Sequence, residues 1–155
     1  MAKVFVVYDS KYGNTKCVAE KIVEGIKEVE GIKYSISYVK QIKPEELADF
    51  DAILIGAPNH MGKPSRTIRK FVDDLAKLDA KAKQFAVFDT YYGRARNFEK
   101  AMKKLEKLIR EKLPSWKPMT SGLSIKVINI MGPIADGELV KCMDFGNKIA
   151  RQLKE

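Results

Sequence analysis

Cysteine is nearly absent from this chain of 155 residues: only Cys17 and Cys142 occur, and no CxxC spacing joins them. That argues against metal and dithiol chemistry, so both thiols are expected to be reduced and structural. Cys17 falls in the first turn of an expected helix, a place where a thiol pKa can be lowered. Histidine is scarcer still, with His60 alone. No apolar run approaches the roughly 18 residues of a membrane span. The opening stretch MAKVFVVYDS has a short apolar run followed by a turn motif rather than a cleavage site, so a cytoplasmic location is expected. Neither GxxxxGK[ST] nor GxGxxG is found, which argues against ATP, GTP and NAD as ligands. No nucleic-acid module or aromatic RNP-type strand is found either, so no nucleic-acid partner is expected.

What the chain does have is an ordinary globular composition, with 45% hydrophobic and 32% charged residues. Its length fits one domain, residues 1–155, large enough for a single core. The unusual property is a formal charge of +9, from 29 Lys and Arg against 20 Asp and Glu. Cations in such excess suit nucleic acid, an anionic membrane or an acidic protein. Here they are scattered among the acids with no basic tail, many on solvated helix faces, as at Lys100, Lys103, Lys104 and Lys107.

Along the chain, short apolar runs alternate with amphipathic ones. Val4 to Tyr8 reads as a central strand covered on both faces. Val18, Ile22 and Ile26 form a helical stripe over residues 15–30, with Gly31 as its stop. Tyr34 to Val39 alternates as an edge strand does. A short helical turn is expected after Pro44, then a buried strand over Ala52 to Ile55. Pro64 and Ser65 open a helix with stripe Ile68, Phe71, Val72 and Leu75. Phe85 to Phe88 reads as the fourth strand. The next helix is expected to carry Phe98, Met102, Leu105, Leu108 and Ile109 on one face. The last strand is expected around Ile125 to Ile130. Asp136 is the expected cap of a final helix that buries Leu139, Met143, Ile149 and Leu153.

Repeated strand–helix–strand units specify a parallel sheet between two helical layers. In the five-stranded order 2-1-3-4-5 the chain reverses between the first and third strands, and ligands bind there, at the carboxyl ends. The loops to inspect are thus 9–15, 57–63 and 89–97. In the first, Ser10, Asn14 and Thr15 offer hydroxyl and amide groups and Gly13 a tight turn, directly before a helix. Backbone N–H groups and the helix dipole there suit an anion such as a phosphate ester. Simple capping of the helix by the same residues accounts for the loop equally well. The second loop, Gly56 to Lys63, is small and flat and contains Pro58, Asn59, His60, Met61 and Gly62. The third places Thr90, Tyr91, Tyr92 and Gly93 at a strand end, where exposed tyrosines can stack on a planar ring. A phosphate cradle, a thin backbone wall and an aromatic wall together fit a planar ring tethered to a phosphate. No nucleophile–base pair or carboxylate pair lies in these loops.

Over essentially its whole length the sequence resembles a short-chain flavodoxin, the α/β three-layer sandwich with a five-stranded parallel sheet and helices on both faces. Ser10-Lys11-Tyr12-Gly13-Asn14-Thr15 is similar to that family's phosphate loop, departing from it at Tyr12, and also resembles the loop of the flavodoxin domain in flavodiiron proteins. Asp51 to Pro58 is similar to its third strand and following loop. The resemblance implies FMN, with its phosphate at residues 10–15 and its ring between loops 57–62 and 89–93. Tyr91 or Tyr92 would be the stacking aromatic and His60 or Met61 the inner wall. Met61-Gly62 resembles the family's methionine–glycine turn, whose peptide meets N5 of the reduced flavin. The implied function is electron transfer between redox partners by a monomer or weak homodimer, with an FMN-dependent quinone or porphyrinogen-type oxidoreductase as the alternative. A signalling receiver of the same topology needs an aspartate after the third strand, and Ile55-Gly56-Ala57 supplies none. Most flavodoxins are acidic. This chain places Lys11, Lys16, Lys63, Arg66, Arg94 and Arg96 in or beside the site loops, so an acidic partner and a less negative potential are expected.

Overall fold

The computed structural model describes residues 1–78, 81–93 and 97–155. Its elements alternate as the apolar runs predict: β1 (Ala2–Tyr8), α1 (Asn14–Lys27), β2 (Ile32–Tyr38), β3 (Ala52–His60), β4 (Lys63–Pro64), α2 (Arg66–Ala76), β5 (Gln84–Tyr91), α3 (Lys100–Lys112), β6 (Lys117–Pro118), β7 (Leu123–Lys126) and α4 (Glu138–Lys154). Short 3-10 turns at Val39–Gln41 and Pro44–Leu47 join β2 to β3.

The parallel ladder runs β2-β1-β3-β5, with both β6 and β7 against β5 in the fifth position. This is the expected 2-1-3-4-5 order. β1 sits inside the sheet and is buried on both faces. Val4, Val6 and Tyr8 join the layer under α1 and α4, while Phe5 and Val7 join the layer under α2 and α3. Burial on both sides explains why β1 and β3 read as unbroken apolar runs, and the partly exposed β2 as an alternating one.

Four expectations are corrected. The last strand is not 125–130: the fifth position is two short pieces, and the chain leaves the sheet after Lys126. There the Ile128 N–H turns to Pro133 O (2.9 Å) and the Gly132 N–H to Asn129 O (2.9 Å), so a local turn takes the hydrogen bonds a longer strand would have used. Asp136 does not cap α4. Gly137 occupies the N-cap in the left-handed region (φ 82°), with no side-chain cap, which leaves Asp136 outside the helix entry. Of the α4 stripe, Ile149 is fully buried, whereas Leu139, Met143 and Leu153 are half-buried and Cys142, Phe145, Gly146 and Ala150 complete the inner face. Finally, Phe98 precedes α3 rather than lying on its stripe. It is half exposed, with its ring edge-on to Tyr91 at 5.7 Å.

Candidate functional site

β3 and β5 outrun β1 at their carboxyl ends, pairing Ala57 with Asp89 and Pro58 with Thr90 beyond the last β1 partner, Gly56. The switch between β1 and β3 opens there into a cleft of about 710 Å³. This size is in the range of small-molecule and cofactor sites. The cleft brings together Ser10, Lys11, Tyr12, Asn14 and Thr15 from the first loop, Pro58, Asn59, His60 and Met61 from the second, and Thr90, Tyr91, Tyr92 and Gly93 from the third. Gly13 and Gly62, also expected in the site, are not among the residues that line it.

The first loop leaves α1 uncapped. Gly13 sits at the N-cap with φ 90°, and no side chain bonds back to the first turn. Ser10 Oγ accepts the Gly13 N–H at 3.0 Å instead, which closes the loop on itself. Simple capping therefore does not account for these hydroxyl and amide residues. The free N–H groups of the first turn and the positive end of the dipole face the cleft, an arrangement complementary to a phosphate. Thr15 Oγ1, buried, pairs with Thr90 Oγ1 at 2.9 Å and ties this loop to the end of β5.

The second loop is a tight hairpin. β3 turns back into β4 with Asn59 opposite Pro64 and His60 opposite Lys63, leaving Met61 and Gly62 as the two turn residues. Both have positive φ, 54° and 83°, as a two-residue hairpin with native strand twist requires. Glycine takes this conformation freely and methionine does not. Met61 is 100% exposed.

The hairpin is clamped to the third loop. Asn59 Oδ1 accepts the Gly62 N–H at 2.7 Å, Asn59 Nδ2 donates to Asn97 O at 3.0 Å, and Asn97 Nδ2 donates to Tyr92 O at 3.0 Å. Two amide side chains thus fix the spacing of both walls. Tyr91 has Phe98 as its ring partner, and burial, followed by Glu138, pushes its hydroxyl pKa up. Tyr92 is 45% exposed. Arg94 and Arg96 lie outside the described residues.

Below the cleft, Asp89 is fully buried. It accepts the Met102 N–H at 2.8 Å and the Ser124 hydroxyl at 2.5 Å, while Ser124 Oγ accepts the Glu99 N–H at 3.0 Å. Burial raises the Asp89 pKa to about 6 against the lowering effect of those hydrogen bonds. At Cys17 the helix position does not lower the thiol pKa: desolvation raises it, with Glu20 adding to the rise. Cys142 is pushed to about 12, again first by burial. Both thiols are free.

Sequence reading missed Asn97, Val127, Asn129 and Ile130, which also line the cleft. Asn97 ends the third loop that topology selects but carries no motif of its own, and the other three follow from a turn that sequence placed in a strand.

A family model described as a flavodoxin domain matches residues 5–131. Over 75 residues the chain is 36% identical to a flavodoxin of Aquifex aeolicus (strain VF5), a stretch that is 48% of this chain and 40% of that protein. A solved flavodoxin from the domain Archaea superposes with a TM-score of 0.82 at 27% identity, over 99% of both chains. A flavodiiron core from Synechocystis sp. PCC6803 superposes with a TM-score of 0.77 at 21% identity, over 99% of this chain and 36% of that one, a likeness of fold alone.

Proposed function

The chain belongs to the flavodoxin family, and on that premise we propose that it is an FMN-dependent electron carrier serving redox proteins of acidic surface. The family binds FMN, and the site residues fit that group. The observation that carries the reading is the uncapped start of α1, opening into the same cleft as the Met61–Gly62 hairpin and the tyrosine pair. Bound FMN supplies the electron chemistry. The first-turn N–H groups of α1, with the hydroxyls of Ser10 and Thr15, hold the phosphate. Pro58 to Met61 form one wall of the ring site and Tyr91 and Tyr92 the other. Tyr91 packs against Phe98 while Tyr92 is 45% exposed, so Tyr92 is the aromatic more open to the ring. The Asn59–Asn97 clamp keeps the walls at a set spacing, so ring binding meets a preformed slot and little ordering entropy is lost. The surplus of cations, +9 over the chain, favours an acidic partner.

The test is the visible spectrum of the purified protein after excess FMN is added and the free flavin removed. Flavin bands retained at one equivalent, and bleached by anaerobic reduction, are the expected result. A colourless protein that cannot be reconstituted overturns the reading. Turnover of a quinone with a reduced nicotinamide replaces the carrier with an oxidoreductase.

A further inference from the structure

The charges of α3 are sorted. Lys103 pairs with Glu99, Lys107 with Glu111, Arg110 with Glu106 and Lys112 with Asp73. Among the described residues, Lys100 and Lys104 have no carboxylate partner, although they lie one helical turn apart on the same helix. These two lie against the hairpin turn: a methyl group built on Gly62 would be 3.4 Å from Lys100 Cδ and 3.7 Å from Lys104 Nζ. The stem of Lys100 and the ammonium of Lys104 thus flank the buried Gly62, and both lysines are exposed. Lys63, the hairpin residue opposite His60, is exposed and likewise without a carboxylate partner among the described residues. Within this group stands Met61, 100% exposed on a backbone with φ 54°, and Phe98, 47% exposed, follows the Asn97 that the hairpin grips. The result is an apolar centre with a bare cationic rim, beside the cleft that Met61 lines.

We infer that this corner, Met61 and Phe98 within Lys63, Lys100 and Lys104, is the docking face for an acidic redox protein. The inference rests on the electron-carrier reading and adds to it the place of contact. Exposed apolar side chains inside a charged rim are the anatomy of a transient protein interface. The rim charge selects the partner's sign and speeds encounter. A second copy of this chain presents the same cations and is repelled. Lysines held in intramolecular pairs elsewhere on α3 present little net charge to any partner.

The experiment uses the FMN-loaded protein and, as probe, a small acidic [2Fe–2S] ferredoxin reduced beforehand. One electron leaves the reduced cluster, which is oxidised, and enters the flavin, which is reduced. The second-order rate is followed by stopped flow from low to high salt for the parent, for Lys100→Gln/Lys104→Gln and for the control Lys103→Gln/Lys107→Gln. The first pair is expected to lower the low-salt rate by roughly tenfold and to flatten its salt dependence, the control by less than about twofold. The flavin spectrum should be the same in all three, and the potential of each is measured so that the rates are compared at equal driving force. Equal effects of the two pairs overturn the docking face, as does a rate indifferent to salt. So does a corner occupied by something else: self-association, or retention of RNA, abolished by the first pair while the ferredoxin rate stays unchanged. Loss of the flavin bands in the parent protein instead overturns the carrier reading, and it is read separately, from the spectrum.

Discussion

At the scale of single residues, the most consequential polar group away from the solvent is Asp89. α3 begins with Glu99 in a left-handed N-cap conformation and no side-chain cap of its own. Asp89, from β5, receives the Met102 N–H and so does from a distance what a local Ser or Asp does in other helices. The cost is desolvation, which raises the carboxyl pKa to about 6. The sign follows from linkage: between the unfolded value near 3.8 and the folded value near 6, the unfolded chain has released a proton that the folded one retains. This contribution is therefore fully present below about pH 4 and lost as pH rises through 6, by about 3 kcal/mol at most. Asp89→Asn cannot ionise. From pH 4 to pH 7, measured by denaturant unfolding at one flavin concentration, its stability relative to the parent should rise by up to that amount. A constant gap across this range would show that Asp89 does not titrate there. None of this was legible from sequence. Sequence places Asp89 in a loop because its partners, Met102 and Ser124, lie 13 and 35 residues away.

At the scale of elements, the tightest packing joins α1 to α4. A methyl group at Gly25 would lie 2.0 Å from Met143 O, and one at Gly146 would lie 1.9 Å from Ile22 O. The clashing atoms are backbone, so no side chain can rotate away, and the helices would have to separate. Gly25→Ala and Gly146→Ala each gain up to about 1 kcal/mol in helix propensity. Overpacking costs about 1–3 kcal/mol or more, and against backbone the upper end applies, so each variant should be less stable by about 1–2 kcal/mol in chemical denaturation. A variant as stable as the parent would mean that the two helices are not in backbone contact. Stripes and runs made the main elements legible, because burial on one or two faces writes its period into the sequence. Val18, Ile22 and Ile26 located α1 within three residues of its end. The two-residue β4 was not legible: its existence depends on where Asn59 and His60 fold back, not on any period of its own. The divided fifth position failed for a related reason. Ile128 and Ile130 look like strand residues, but the backbone bonds that would hold them in the sheet are taken by the local turn.

At the scale of the whole molecule, topology did most of the work of locating the cleft. The reversal between the first and third strands selected three loops, and those loops meet in one cleft. Its charge is a property of the molecule rather than of any one contact. Lys11 lines the cleft, Lys63, Lys100 and Lys104 gather at the hairpin, and the chain as a whole stands at +9. One cation about 8 Å from a reduced, anionic flavin contributes roughly 2 kcal/mol at an effective dielectric near 20. For one electron that is on the order of 90 mV, at about 59 mV per tenfold change. The more reducing one-electron couple of the bound flavin is therefore expected at a less negative potential than in acidic flavodoxins. Screening gives a second, internal check. The Debye length shrinks from about 10 Å at 0.1 M salt to about 3 Å at 1 M, so added salt should move the potential in the negative direction. Acidic members of the fold should move the opposite way. Potentiometric titration at the two salt concentrations measures both. A potential as low as that of the acidic proteins, unmoved by salt, would mean that these cations lie too far from the ring to act on it.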